Sequence, residues 1–84
     1  MSQAKDNQVY KDLVNLTNPY LGPSSERFID RQIKNHLNKE PSEIRSSDLS
    51  GLIDWLSLSM SILTDDNDTI SEYIKKIKLL YKKA

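Results

Sequence analysis

Apolar residues recur along this chain mostly at helical spacing, and between residues 47 and 63 they do so on two faces at once. At about 100° per residue, Leu49, Leu52, Ile53, Leu56, Met60 and Leu63 fall on one stripe. Trp55, Leu58 and Ile62 fall nearly opposite, and Ser50, Asp54, Ser57 and Ser61 fill one polar gap between them. A helix apolar on two sides sits between two layers of protein. One layer is the core of the chain. The other is the rest of this chain, a second copy or a different partner. Residues 56–62 also alternate with period two, which is a strand signal. Helix is preferred because the helical spacing holds over four turns and a lone strand would have nothing to pair with.

The same reading predicts three further helices. The first covers about residues 6–17, with Val9, Leu13 and Leu16 on one face flanked by Tyr10 and Val14. It is expected to end at Asn18, because the residue before a proline is pushed out of the α region. The second covers about residues 23–38, opened by Pro23. Phe28, Ile29, Gln32, Ile33, His36 and Leu37 share its inner side, opposite Arg27, Arg31, Lys34 and Asn38. Pro41–Arg45 is expected to form a single turn anchored by Ile44. Ser46 or Ser47 is expected to cap the third helix, with Asp48 favourable at its positive end. Thr69-Ile70-Ser71-Glu72 has the form of a capping box and opens the last helix. That helix carries Ile70, Tyr73, Ile74, Ile77, Leu80 and Tyr81 on one face, with Leu79 pointing away.

These elements give an all-α fold, a compact four-helix bundle with the third helix most buried. Its 84 residues make one domain, and residues 1–5 are expected to be disordered. Two Gly, three Pro and 7% aromatic residues argue against a β-sandwich, which needs a turn about every eight to twelve residues. Cysteine is absent, so there is neither a disulfide nor a thiolate metal site. Residues 1–6 are polar with no apolar run behind them, so no signal peptide is expected. The apolar stretch of α-helical spacing is too short and too polar to span a bilayer. A cytoplasmic location is the expectation.

The formal net charge is zero but unevenly placed. Residues 46–74 hold six acids and no Lys or Arg, whereas residues 75–84 hold five lysines and no acid. Separated blocks of this kind point to local electrostatic docking.

Candidate chemistry is sparse. His36 is the only histidine and has no acid three or four residues from it on its helix, so it lacks a metal-ligand set. A half-buried structural residue is the expectation. Asp65-Asp66-Asn67-Asp68 resembles the start of a calcium loop, but Ile70 replaces the glycine and Lys76 the final glutamate. A solvated capping turn fits better. Neither a Gly-rich phosphate loop nor a Ser–His–Asp set can be assembled, so no catalytic residue, metal or cofactor is expected.

Three sets of residues remain as binding candidates. Trp55, Leu58 and Ile62 suit a protein interface, where Trp is a frequent anchor; alternatively the first helix or the Pro19–Pro23 segment covers them. Arg27, Arg31 and Lys34 form a basic stripe that could meet phosphates or an acidic protein patch. Glu26 and Asp30 dilute it, and Asp30 can pair with Lys34. Lys75, Lys76, Lys78, Lys82 and Lys83 either meet phosphates or compensate the helix dipole.

The Gly22-Pro23 step opening an amphipathic helix, followed by a helix begun with Ser46-Ser47-Asp48, resembles small helical units attached to prokaryotic signalling proteins. The resemblance covers residues 20–63 and carries no functional residue across. The leading expectation is a non-catalytic regulatory or interaction module. It would bind a protein partner or itself through Trp55, Leu58 and Ile62, steered by Arg27, Arg31 and Lys34. The alternative is nucleic-acid binding through the basic stripe and the lysine-rich end.

Overall fold

Asn7 shows how the first helix is set in place. Its side-chain oxygen accepts the Tyr10 backbone N–H at 3.0 Å, capping the helix. Its Nδ2 donates to the carbonyls of Ser42 at 3.0 Å and Ile44 at 2.9 Å. One side chain therefore starts the helix and ties it to a loop far along the chain. The computed structural model that shows this describes residues 7–83. The expectation of disorder over residues 1–5 lies outside the described residues.

Helix α1, Gln8–Leu21, runs four residues beyond its expected end and contains Pro19. The proline removes one hydrogen bond to the Asn15 carbonyl, and Asn15 is exposed, so water can serve that group. Tertiary contacts hold the last turn in spite of the proline. Tyr20 packs edge-on against Tyr73, with centroids 5.1 Å apart, and its hydroxyl donates to Glu72 at 2.7 Å. The helix ends at Gly22, whose φ of 59° is cheap only for glycine and whose N–H reaches the Asn18 carbonyl.

A 3-10 turn over Gly22–Ser24 leads into helix α2, Ser25–Gln32. The helix then widens into a π-turn over Ile33–Leu37 and stops at Asn38 in the left-handed region, φ 58°. Pro41–Glu43 forms the expected single turn, and Ile44 is buried.

Helix α3, Leu49–Leu63, follows a 3-10 turn over Ser46–Asp48. The expected serine caps are not used. Asp48 instead accepts the Arg45 N–H at 2.9 Å and both oxygens take the Lys39 ammonium, at 2.9 and 3.1 Å. Burial pushes the Asp48 carboxyl up, but the Lys39 and Arg45 partners outweigh it and hold it below the usual range. A carboxylate satisfies more donors here than a serine hydroxyl could.

Helix α4, Asn67–Lys83, starts two residues before the expected capping box. Asp66 takes the N–H groups of Asp68 at 3.0 Å and Thr69 at 3.2 Å, and its second oxygen takes the Thr69 hydroxyl. Glu72 is thereby free to meet Tyr20 rather than turn back on its own helix.

The fold is all-α among the described residues, with three long helices and a shorter α2 completed by its π-turn. The core joins Tyr10 and Leu13 of α1, Ile29 and Ile33, Ile44, Leu49, Leu52, Leu56 and Met60 of α3, and Ile70, Tyr73 and Ile77 of α4. Fully buried inside it, Thr17 donates to the Leu13 carbonyl at 2.8 Å and meets the Tyr73 hydroxyl at 2.7 Å. The single Thr17 hydrogen is spent on Leu13, so Tyr73 is the donor to Thr17.

Two expected core residues are not in the core. Leu63 and Tyr81 are both exposed. Each sits in the last turn of its helix. The third helix is likewise not buried on all sides; it buries one stripe and exposes the other.

Candidate functional site

The stripe that α3 does not bury is the apolar face singled out in the sequence. Trp55 is 43% exposed, Leu58 55% and Ile62 80%, with Leu63 at the end of the same helix 57% exposed. Neither α1 nor the Pro19–Pro23 segment covers them. On the opposite stripe, Leu49, Leu52 and Leu56 are completely buried. Core packing thus consumes one face of α3 and leaves the other to solvent, where a contiguous apolar patch is uncommon for a small domain.

Within the chain Trp55 stacks on a histidine. The His36 imidazole lies parallel to the indole, with ring centroids 4.1 Å apart and 6° between planes. The π-turn over Ile33–Leu37 carries His36 to this position. A stack of this kind fixes the indole's orientation while leaving much of it open. Beside the pair, Gln32 donates to Ser59 at 2.9 Å and joins α2 to α3. His36 is half-buried, as expected, and stacks on Trp55.

Arg27 and Arg31 on α2 and Lys34 on the π-turn that follows it are exposed. Asp30 does not pair with Lys34. It accepts the Tyr10 hydroxyl at 2.7 Å instead. Burial, followed by this bond and the nearby charges of Asp30 and Glu26, pushes the Tyr10 hydroxyl pKa well up. A hydrogen bond from a neutral hydroxyl removes no charge, so Asp30 and Glu26 still dilute the basic stripe.

The lysines of α4 differ in their surroundings. Lys76 is engaged, 3.6 Å from Glu72 and 5.3 Å over the Tyr20 ring. The Tyr20 hydroxyl, and then Lys76, hold the Glu72 carboxyl below its usual range. Lys75, Lys78 and Lys82 are exposed, as is Leu79; the side chain of Lys83 lies outside the described part. Between α1 and α4 an open groove of about 600 Å³ has Leu16, Leu79 and Leu80 on its floor and Asp12, Lys76 and Lys82 on its rim.

Among the described residues no group of three or more His, Cys, Asp or Glu is arranged to hold a metal ion. Asp66 of the acidic turn is occupied as a helix cap. No described helix is long and apolar enough to cross a membrane.

Sequence reasoning found the exposed face of α3 but not the His36 stack behind it. His36 and Trp55 are far apart in sequence, and a π-turn shifts the wheel on which His36 was placed. The Tyr20–Glu72–Lys76 cluster was missed for a simpler reason: the helix carrying Tyr20 was expected to have ended.

Compared with protein-family models, curated proteins and solved structures, the chain shows no match.

Proposed function

We propose that this protein is a small non-catalytic interaction module that binds another polypeptide, a partner or a second copy, through Trp55, Leu58 and Ile62. The observation that supports it is the set of large apolar side chains left exposed on one side of α3 while the other side fills the core. Trp is well suited to such a site because it buries much area at little entropic cost. Arg27, Arg31 and Lys34 on the neighbouring helix steer the approach of an acidic surface.

The test is capture of binding proteins from lysate of the source organism with wild-type and Trp55→Ala chains, with and without nuclease. A nuclease-resistant partner whose affinity falls by about 2 kcal/mol in the variant is the expected result. A variant that binds as well as wild type removes the α3 face from the site.

A second reading, nucleic-acid binding, is favoured by the exposure of Arg27, Arg31 and Lys34. Arg27, Arg31 and Lys34, with Lys75, Lys78 and Lys82, would then meet phosphates. Such binding falls steeply as salt rises, and capture that vanishes after nuclease treatment would favour it over the first.

A further inference from the structure

We propose that His36 is a positioning residue for binding, holding the Trp55 indole in one pose before any partner arrives. This rests on the interaction reading above and adds a residue to its site. The imidazole lies 4.1 Å from the indole and within 6° of parallel. It takes one face of the ring, so a partner meets the other face and the edge.

The stack belongs to a ladder. Three contacts join the end of α2 and the residues after it to α3 and the turn before it. Gln32 donates to Ser59 at 2.9 Å, His36 stacks on Trp55, and the Lys39 ammonium meets Asp48 at 2.9 Å. Positions 32, 36 and 39 ascend as 59, 55 and 48 descend, so this segment runs antiparallel to α3. His36 is the middle rung. A polar bond precedes it and an ion pair follows it, and these tie down the backbone on either side of the stack.

The ladder separates two tasks. Gln32–Ser59 and Lys39–Asp48 hold the π-turn over Ile33–Leu37 against α3. The middle rung meets a different kind of residue. Trp55 is a half-exposed side chain of the open apolar face, whereas Leu52 and Leu56 beside it in sequence are completely buried. A flat ring laid parallel to the indole restrains its rotation.

That restraint bears on affinity. An exposed side chain that turns freely must be ordered when a partner binds, at a cost in entropy. A side chain ordered beforehand does not carry that cost again. Trp55 therefore enters an interface already posed, and loss of His36 weakens association while leaving the fold in place.

The test follows the ring itself. Trp55 is the only tryptophan, so its indole N–H gives one nitrogen-15 relaxation signal. In wild type and in His36→Phe, whose ring can stack in the same place, the indole should be as ordered as the backbone around it. In His36→Ala it should become mobile on the nanosecond timescale, while the backbone amides of residues 32–39 stay ordered on the outer rungs. Nuclease-treated lysate of the source organism supplies the second readout. His36→Phe should retain what wild type retains, and His36→Ala should retain it several-fold more weakly.

An indole as ordered in His36→Ala as in wild type overturns the positioning role. Backbone that loosens together with the indole overturns it too, because His36 would then hold the turn rather than the ring. Equal capture by His36→Ala and wild type overturns the role in binding. If wild type retains nothing, the interaction reading fails and the role in binding falls with it, whereas the ordering of the indole stands or falls by relaxation alone.

Discussion

The Trp55 indole and the His36 imidazole lie face to face, 4.1 Å apart and within 6° of parallel, on the open side of α3. The contact joins the third helix to the π-turn that ends the second. It gives Trp55 a fixed pose without drawing it into the core, which lies on the other side of the helix.

Replacing this tryptophan should therefore be mild for folding. Trp55→Ala loses a half-exposed stack, at about 1 kcal/mol, rather than the roughly 3–5 kcal/mol of a core aromatic. Urea unfolding at low protein concentration measures the difference. A loss near the upper range would place Trp55 in the core and remove the main support for an interaction face.

Gly51 should be replaceable with a gain. Alanine fits the open space around it, and the helix-interior preference amounts to about 1 kcal/mol. Thermal unfolding of the dilute Gly51→Ala chain should show a higher melting temperature than wild type.

Asn7 makes three hydrogen bonds that join the start of α1 to the Ser42–Ile44 loop. Asn7→Ala loses the cap and leaves two carbonyls without their donor. The expected cost is about 2 kcal/mol. Hydrogen exchange should quicken at the first turn of α1 and around Ile44 together, because one residue serves both.

The core hydroxyl pair makes stability sensitive to alkali. Burial pushes the Tyr73 hydroxyl from its ordinary value of 10.0 up to about 12. A pKa raised by folding means that the stabilisation is fully present below pH 10 and is lost as the pH climbs through 12. Two units correspond to about 2–3 kcal/mol over that interval. Tyr73→Phe should cost about 1 kcal/mol at neutral pH and flatten the alkaline loss. The remainder belongs to Tyr10 and Tyr20, whose hydroxyls are also raised by burial and by their carboxylate partners.

In acid the signs reverse. The folded-state pKa of Asp48 is lowered, so its contribution is present above the ordinary carboxylate range and disappears as the pH falls through that lower value. Asp48→Asn should unfold with a weaker pH dependence below about pH 4, measured by circular dichroism.

Much of this fold was legible from periodicity. The buried stripe Leu49–Leu52–Leu56–Met60 and the core positions Tyr73 and Ile77 follow from helical spacing alone. The local rules failed where long-range contacts outweigh them. Pro19 did not end α1 because Tyr20 is held by Glu72 and Tyr73. Serine caps were displaced by Asp48, whose partner Lys39 lies in another segment. The exposed face of α3 could be read because the spacing placed Trp55, Leu58 and Ile62 away from the core stripe. What lies beside it could not, since the π-turn at Ile33–Leu37 has no clear sequence signal.

Trp55 is the only tryptophan in the chain, so its fluorescence reports on this face and nothing else. Quenching by acrylamide, followed from micromolar to millimolar protein, is the most direct measurement. The indole should be readily quenched in the dilute chain and become protected when a captured partner is bound or, at high concentration, a second copy. Protection already present in the dilute single chain would put Trp55 in the core, and quenching that changes with neither a partner nor concentration would mean that no polypeptide covers this face.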